Sequence, residues 1–186
     1  MSMDEETSAR YNQDTHQSVY RERLLEHLLI GELLKYSWLR CGASLEVSQP
    51  SIDRSGHDVV LEANGVTRHV QLKASRIVAA ASSQKVHVGL AGKPSGCVVW
   101  VRFDPQDMHL DSFLFFGGAP GMPLPGLDSF KVAKHTKGNA LGTKAERPNI
   151  RMVPKSKFRV IPNIEELYGA LFGTSSAPLL STDAET

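Results

Sequence analysis

Residues 51–75 read "SIDRSGHDVVLEANGVTRHVQLKAS". Two β-branched runs, "HDVVLEA" and "TRHVQLKAS", flank Asn64-Gly65, the dipeptide that two-residue hairpin turns favour. Side chains alternate along a strand, so Gln71 and Lys73 share one face while Val70, Leu72 and Ala74 share the other. Asp58 opens the neighbouring antiparallel strand. Polar side chains on strands that otherwise read as core are costly unless something binds them.

The segment before the hairpin, "SVYRERLLEHLLIGELLKYSWLR" (18–40), has a helical period and helix-forming Leu, Glu and Lys, and Gly42 ends it. At 100° per residue with Leu24 at zero, Leu28, Leu39, Leu25, Tyr36 and Leu29 fall at about 40, 60, 100, 120 and 140°. Glu32 falls at about 80°, in the middle of that apolar face, and Glu26 near 200°, at its edge. A surface position accounts for Glu26. Glu32 needs a partner.

"SLEVS" (44–48) reads as a short strand, and "QPSIDRSG" as a turn-rich loop. Beyond the hairpin, "KVHVGLA", "CVVWVRFD" and "DSFLFFGG" read as strands and "GAPGMPLPG" as a loop. Residues 131–158 lack a clear period, with "KGNALGTKAERPN" expected as a long basic loop, and "NIEELYGALFG" closes the fold as a helix ended by Gly173. With no internal repeat, one domain over about 19–172 is expected, between a flexible polar lead at 1–18 and a flexible tail at 173–186. Trp38, Trp100 and "FLFFGG" read as core.

Composition narrows the setting. The net charge of +1 demands no polyanionic partner, but its distribution is uneven. Residues 131–159 hold nine Lys or Arg and one acid, whereas residues 1–32 hold seven acids and three Arg. Cys41 and Cys97 are too few and too far apart for a disulfide framework or a Cys-based zinc site. No apolar run approaches the roughly 18–20 residues that span a bilayer, and no signal peptide is evident, so the expected setting is cytoplasmic, with no membrane.

A helix packed on the Gln71 and Lys73 face could bring Glu32, Asp58, Gln71 and Lys73 together. Two carboxylates and an amide oxygen make a hard oxygen site suited to Mg²⁺. A lysine beside such an ion can orient water and stabilise negative charge developing on phosphorus. Helix Glu, then Asp at a strand start, then "QLK" at 71–73, resembles the PD-(D/E)XK, or restriction-endonuclease-like, nuclease superfamily, and the Gln is similar to the Mrr-like QxK branch. The resemblance covers about residues 20–105. It implies an α/β fold with an αβββαβ core, a mixed central sheet and flanking helices. It also implies a Mg²⁺-dependent (or Mn²⁺-dependent) DNA endonuclease in a defence or DNA-repair setting, with homodimerisation by analogy. On this reading Glu32, Asp58, Gln71 and the Leu72 carbonyl hold the metal, and Lys73 handles nucleophile and charge. Two departures stand out: "GHD" lacks the Pro that often precedes the Asp, and neutral Gln71 should hold Mg²⁺ more weakly than a carboxylate.

Outside the motif, Lys134, Lys137, Lys144, Arg147, Arg151, Lys155 and Lys157 could neutralise phosphates along a DNA strand, with a solvated basic loop as the plainer alternative. His57 and His69 read as packing or surface residues, Ser75 as a strand-end cap, and Glu62 as too far out to ligate. Two rivals remain. One is a catalytically inactive nuclease-like domain that binds nucleic acid or a protein partner; the other is a structural α/β domain whose polar residues are incidental.

Overall fold

The computed structural model describes residues 3–52, 56–135 and 144–173, with side chains described from residue 17 onward. The chain opens with a helix, α1 (Met3–Arg40), followed by a meander of β1 (Glu46–Ser48), β2 (Val59–Ala63) and β3 (Val66–Arg76). Next come β4 (Ser83–His87), a 3₁₀ turn over Val88–Gly92, β5 (Gly96–Phe103) and β6 (Leu110–Gly117). The last third supplies β7 (Lys131–Lys134), β8 (Glu146–Pro154), a 3₁₀ turn over Lys155–Lys157, β9 (Arg159–Ile161) and α2 (Ile164–Phe172). Among the described residues no helix is long and apolar enough to cross a membrane.

The expected hairpin is present. Asn64 and Gly65 both have positive φ (53° and 71°), as a type I′ turn requires, and β2 pairs antiparallel with β3 from Val59↔Val70 to Ala63↔Val66. The central sheet has six strands in the order β1-β2-β3-β5-β6-β9, and only β3 and β5 run parallel. It is therefore mixed, as expected of this α/β chain. The β3–β5 crossover differs from the αβββαβ expectation: β4 and the 3₁₀ turn occupy the place of its second helix.

Central strand β5 explains the layering. Its alternate residues Cys97, Val99 and Val101 join one core with Leu29 and Leu33 of α1 and Leu167 and Leu171 of α2. Val98 and Trp100, on the opposite face, join a second core with Val86, Leu90, Val153 and Phe158. A three-stranded sheet, β4-β8-β7, covers that second face. The residues expected as an aperiodic basic stretch therefore include two strands. β7 and β8 each bury one position, Ala133 and Val153, so their alternation is too weak to read from the sequence.

Two further expectations are corrected. Trp38 is 72% exposed and not in the core, whereas Trp100 is fully buried. The helix begins at Met3, within the segment expected as a lead, not near Ser18. The expected tail after Gly173 lies outside the described residues.

Arg68 ties the first core together. It is fully buried on β3, beneath the Phe115 ring, and its Nε and Nη2 donate to the carbonyls of Leu171, Ala170 and Gly118. Two of those acceptors are C-terminal carbonyls of α2, where the helix dipole favours a cation. Burial pushes the guanidinium pKa down from its ordinary value.

Candidate active site

β3 pairs with β5 over His69–Arg76, but β2 pairs only with Val66–Val70. Among the described residues, no strand pairs with positions 71–76 on the β2 side. Side chains from both faces of β3 can reach that edge. A cleft of about 780 Å³ opens there, between α1, residues 49–51 and the outer half of β3.

Asp58 sits where the β2–β3 ladder ends. Its N–H donates to the Val70 carbonyl (2.8 Å), and its Oδ2 accepts from the Leu72 N–H (2.6 Å). The carboxylate thus takes the place of the next rung and is fixed at the mouth of the cleft. Gly56 makes the approach to it. Its φ is +76°, and a Cβ there would overlap the His87 Cβ, so only glycine lets the chain pass β4 at this point.

Lys73 lines the same cleft, as do Leu72 and Ser75. The Ser75 hydroxyl accepts from the Trp100 indole N–H at 2.8 Å, which gives it a packing role. His57 also lines the cleft, buried and edge-to-face with His69 at 5.0 Å. The His69 Nδ1 lies 2.8 Å from the Pro94 carbonyl oxygen.

Gln71 and Glu32 do not join this group, because α1 packs on the Val70 and Leu72 face of β3 and not on the expected Gln71 and Lys73 face. Gln71 is buried, and its Oε1 accepts from the His87 N–H at 3.3 Å, turning the amide toward β4. The Glu32 side chain is 45% exposed and pairs with Lys35 one turn along α1 at 3.3 Å. Neither lines the cleft. The carboxylate that α1 brings there is Glu26, expected at the surface and found buried. Arg23 Nη1 lies 3.1 and 3.2 Å from its two oxygens, and Gln49 donates to it from the 49–51 segment. The cation Arg76 and the polar Gln84 complete the far wall.

Among the described residues, no three His, Cys, Asp or Glu side chains converge to hold a metal ion. The expected trio of Glu32, Asp58 and Gln71 is not assembled. The cleft offers two carboxylates, Glu26 and Asp58, and the Leu72 main chain. Because the Leu72 N–H points at Asp58, its carbonyl, on the same edge of the strand, opens to the cleft too. That set falls short of an all-protein cage. Donors of this type, one or two carboxylates, are what Mg²⁺ takes together with water and substrate phosphate.

The basic residues form a separate surface. Lys134 is exposed at the end of β7 opposite Glu146, and Lys144 precedes β8. Arg147 and Arg151 lie on β8, where Arg151 donates to the Pro148 carbonyl, and Lys155 and Lys157 lie on the following 3₁₀ turn. None lines the cleft, and Lys137 lies outside the described residues.

Comparison with protein-family models, curated proteins and solved structures finds no match in any of the three.

Proposed function

We propose that the chain is a metal-dependent DNA endonuclease whose active site is the cleft at the open edge of β3. One observation carries this reading: Glu26, Asp58 and Lys73 line one cleft, with Arg21, Arg23 and Arg76 on its walls. Two acids flanked by cations suit a phosphodiester, which needs its charge neutralised along the strand and its reacting phosphorus polarised. The α1–β1–β2–β3 order and the parallel β3–β5 pair agree with a restriction-endonuclease-like core, with β4 and a 3₁₀ turn in place of one helix.

Asp58, Glu26 and the Leu72 carbonyl would hold Mg²⁺ or Mn²⁺, which supplies Lewis acidity and a more acidic water. Asp58 is pre-positioned by the Leu72 N–H, so its carboxylate needs little reorganisation to bind. The Lys73 ammonium donates toward a non-bridging phosphate oxygen and stabilises the charge that grows there during in-line attack. Arg21 and Arg76 neutralise the neighbouring phosphates. Arg23 and Gln49 hold Glu26 against α1 and fix its direction.

The position of Gln71 favours a second reading, a catalytically inactive nuclease-like domain that binds nucleic acid. Its amide is engaged by the His87 backbone, which leaves one oxygen donor fewer in the cleft. Incubation with end-labelled duplex DNA in Mg²⁺, alongside fluorescence anisotropy on the same duplex, separates the two. Cleavage supports the enzyme, binding without cleavage supports the silent domain, and neither would overturn both.

A further inference from the structure

Helix α1 carries a second apolar stripe that the fold does not use. The stripe facing the sheet is Leu25, Leu29, Leu33 and Ser37, all buried. On the far side, Tyr20, Leu24, His27, Gly31, Leu34 and Trp38 follow one another at steps of 4, 3, 4, 3 and 4 residues, the a/d spacing of a helix that pairs with another helix. Tyr20 is 74% exposed and Trp38 72%, and Leu34 is exposed as well. Helix α2 lies on the sheet side, with Tyr168 against Tyr36 at 5.1 Å. It does not cover the outer stripe.

We infer that this stripe is the dimer interface of the protein, and that its occupant is α1 of a second copy running antiparallel. The order of side-chain sizes selects that partner. From Tyr20 to Trp38 the stripe reads aromatic, Leu, His, Gly, Leu, aromatic, so its sizes are complementary about its midpoint near residue 29. Run antiparallel, Tyr20 faces Trp38 of the second copy, Leu24 faces its Leu34, and His27 faces its Gly31. Each contact occurs twice, as a two-fold interface requires. A parallel pair would instead oppose Gly31 to Gly31, leaving a void, and crowd His27 against His27.

Gly31 fits this arrangement. Glycine weakens a helix interior, and beyond the helix's own backbone no described residue lies within 4 Å of where its Cβ would be, so packing among the described residues does not require it. The missing side chain leaves room for His27 of the second copy. That ring is oriented by its Nδ1, which lies 2.7 Å from the Arg23 carbonyl oxygen. The stripe spans about 27 Å at 1.5 Å per residue. Two aromatics that cover about 150–250 Å² each, with two leucines and a histidine beside them, bring each copy to the lower end of the roughly 600–1,000 Å² per partner of stable interfaces. An interface at that lower end is expected to associate reversibly.

Sedimentation velocity on the full chain over a concentration series tests this. The expected result is a reversible dimer of twice 20.4 kDa. Gly31→Gln should leave the fold intact, because the added side chain enters open space and Gln favours helix, but should weaken dimerisation by at least about tenfold, as a clash across a packed seam does. Trp38→Ala should weaken it as well. Adding His27→Ala to Gly31→Gln should restore the dimer, because only antiparallel pairing sets residue 27 against residue 31. A chain that stays monomeric at roughly 100 µM, where even a Kd of tens of micromolar populates the dimer, would overturn the inference. So would a dimer indifferent to both single variants, or one that His27→Ala fails to rescue.

Discussion

Replacing Arg68 by Met removes the buried cation while keeping most of its volume. Three hydrogen bonds go with it, at 2.8, 3.0 and 3.1 Å to the carbonyls of Leu171, Ala170 and Gly118. Hydrogen bonds from a charged donor contribute about 1.5–3 kcal/mol each, but keeping a guanidinium out of water offsets part of that sum. The variant escapes this desolvation cost and leaves the carbonyls at the end of α2 without their donor. We expect a net loss of about 2–4 kcal/mol. At a urea m-value of about 2 kcal/mol/M, the midpoint should fall by about 1–2 M. Arg68→Lys keeps the charge but not the planar fork, and should recover less than half of the loss. Urea unfolding followed by tryptophan fluorescence reads both variants, since Trp100 is fully buried. A Met variant within about 0.5 kcal/mol of wild type would refute the reasoning, because desolvation would then cancel the hydrogen bonds.

Other consequences are open to measurement. Gly56→Ala combines a positive φ with overlap on His87 and should cost about 2–4 kcal/mol in the same unfolding experiment. Burial pushes the Cys97 thiol from 9.0 up to about 12, so the folded state keeps a proton that the unfolded state loses. Stability should fall as pH rises through that window, by up to about 1.4 kcal/mol per pH unit, and the fall should be shallower in Cys97→Ala. If the basic surface tracks a phosphate backbone, Lys134→Ala with Lys144→Ala should flatten the log K against log salt slope by about 0.9 per lost contact on duplex DNA. An unchanged slope in an anisotropy titration would make those lysines a solvated surface.

The hairpin was legible because its signals agree: Asn64-Gly65 demands the turn, and β-branched residues alternate on either side. The helix was legible in extent near its C-terminal end but not in orientation. Apolar residues lie around most of α1, so a helical wheel that counts Leu39, which is 62% exposed, centres its apolar face near Glu32. Leu33 at about 180° and Ser37 at about 220° mark the true buried side, which places Glu26, at about 200°, between them. The apolar surplus on the outer side is the stripe assigned above to a second copy. Alternation correctly put Gln71 and Lys73 on one face. It could not say that β4 would cross that face and present the His87 N–H to the amide. Which layer covers a strand is a tertiary fact with no local signature, and β7 and β8 left almost none because they bury so little.

The cleft at β3 is proposed to hydrolyse a phosphodiester. The most direct test is nicking of supercoiled plasmid in Mg²⁺ by wild type, Asp58→Asn and Lys73→Ala, with DNA affinity measured on the same preparations. Lys73 lines the cleft, and none of the basic residues on β7 and β8 does. Its loss should therefore lower nicking by at least about a hundredfold, as removal of a transition-state charge donor does, while leaving affinity within a few-fold. Asp58→Asn should abolish nicking through the metal. Wild type that nicks only with Mg²⁺ or Mn²⁺, together with two silent variants that still bind, is the predicted result; undiminished nicking by Lys73→Ala, or none by wild type with either metal, would contradict it.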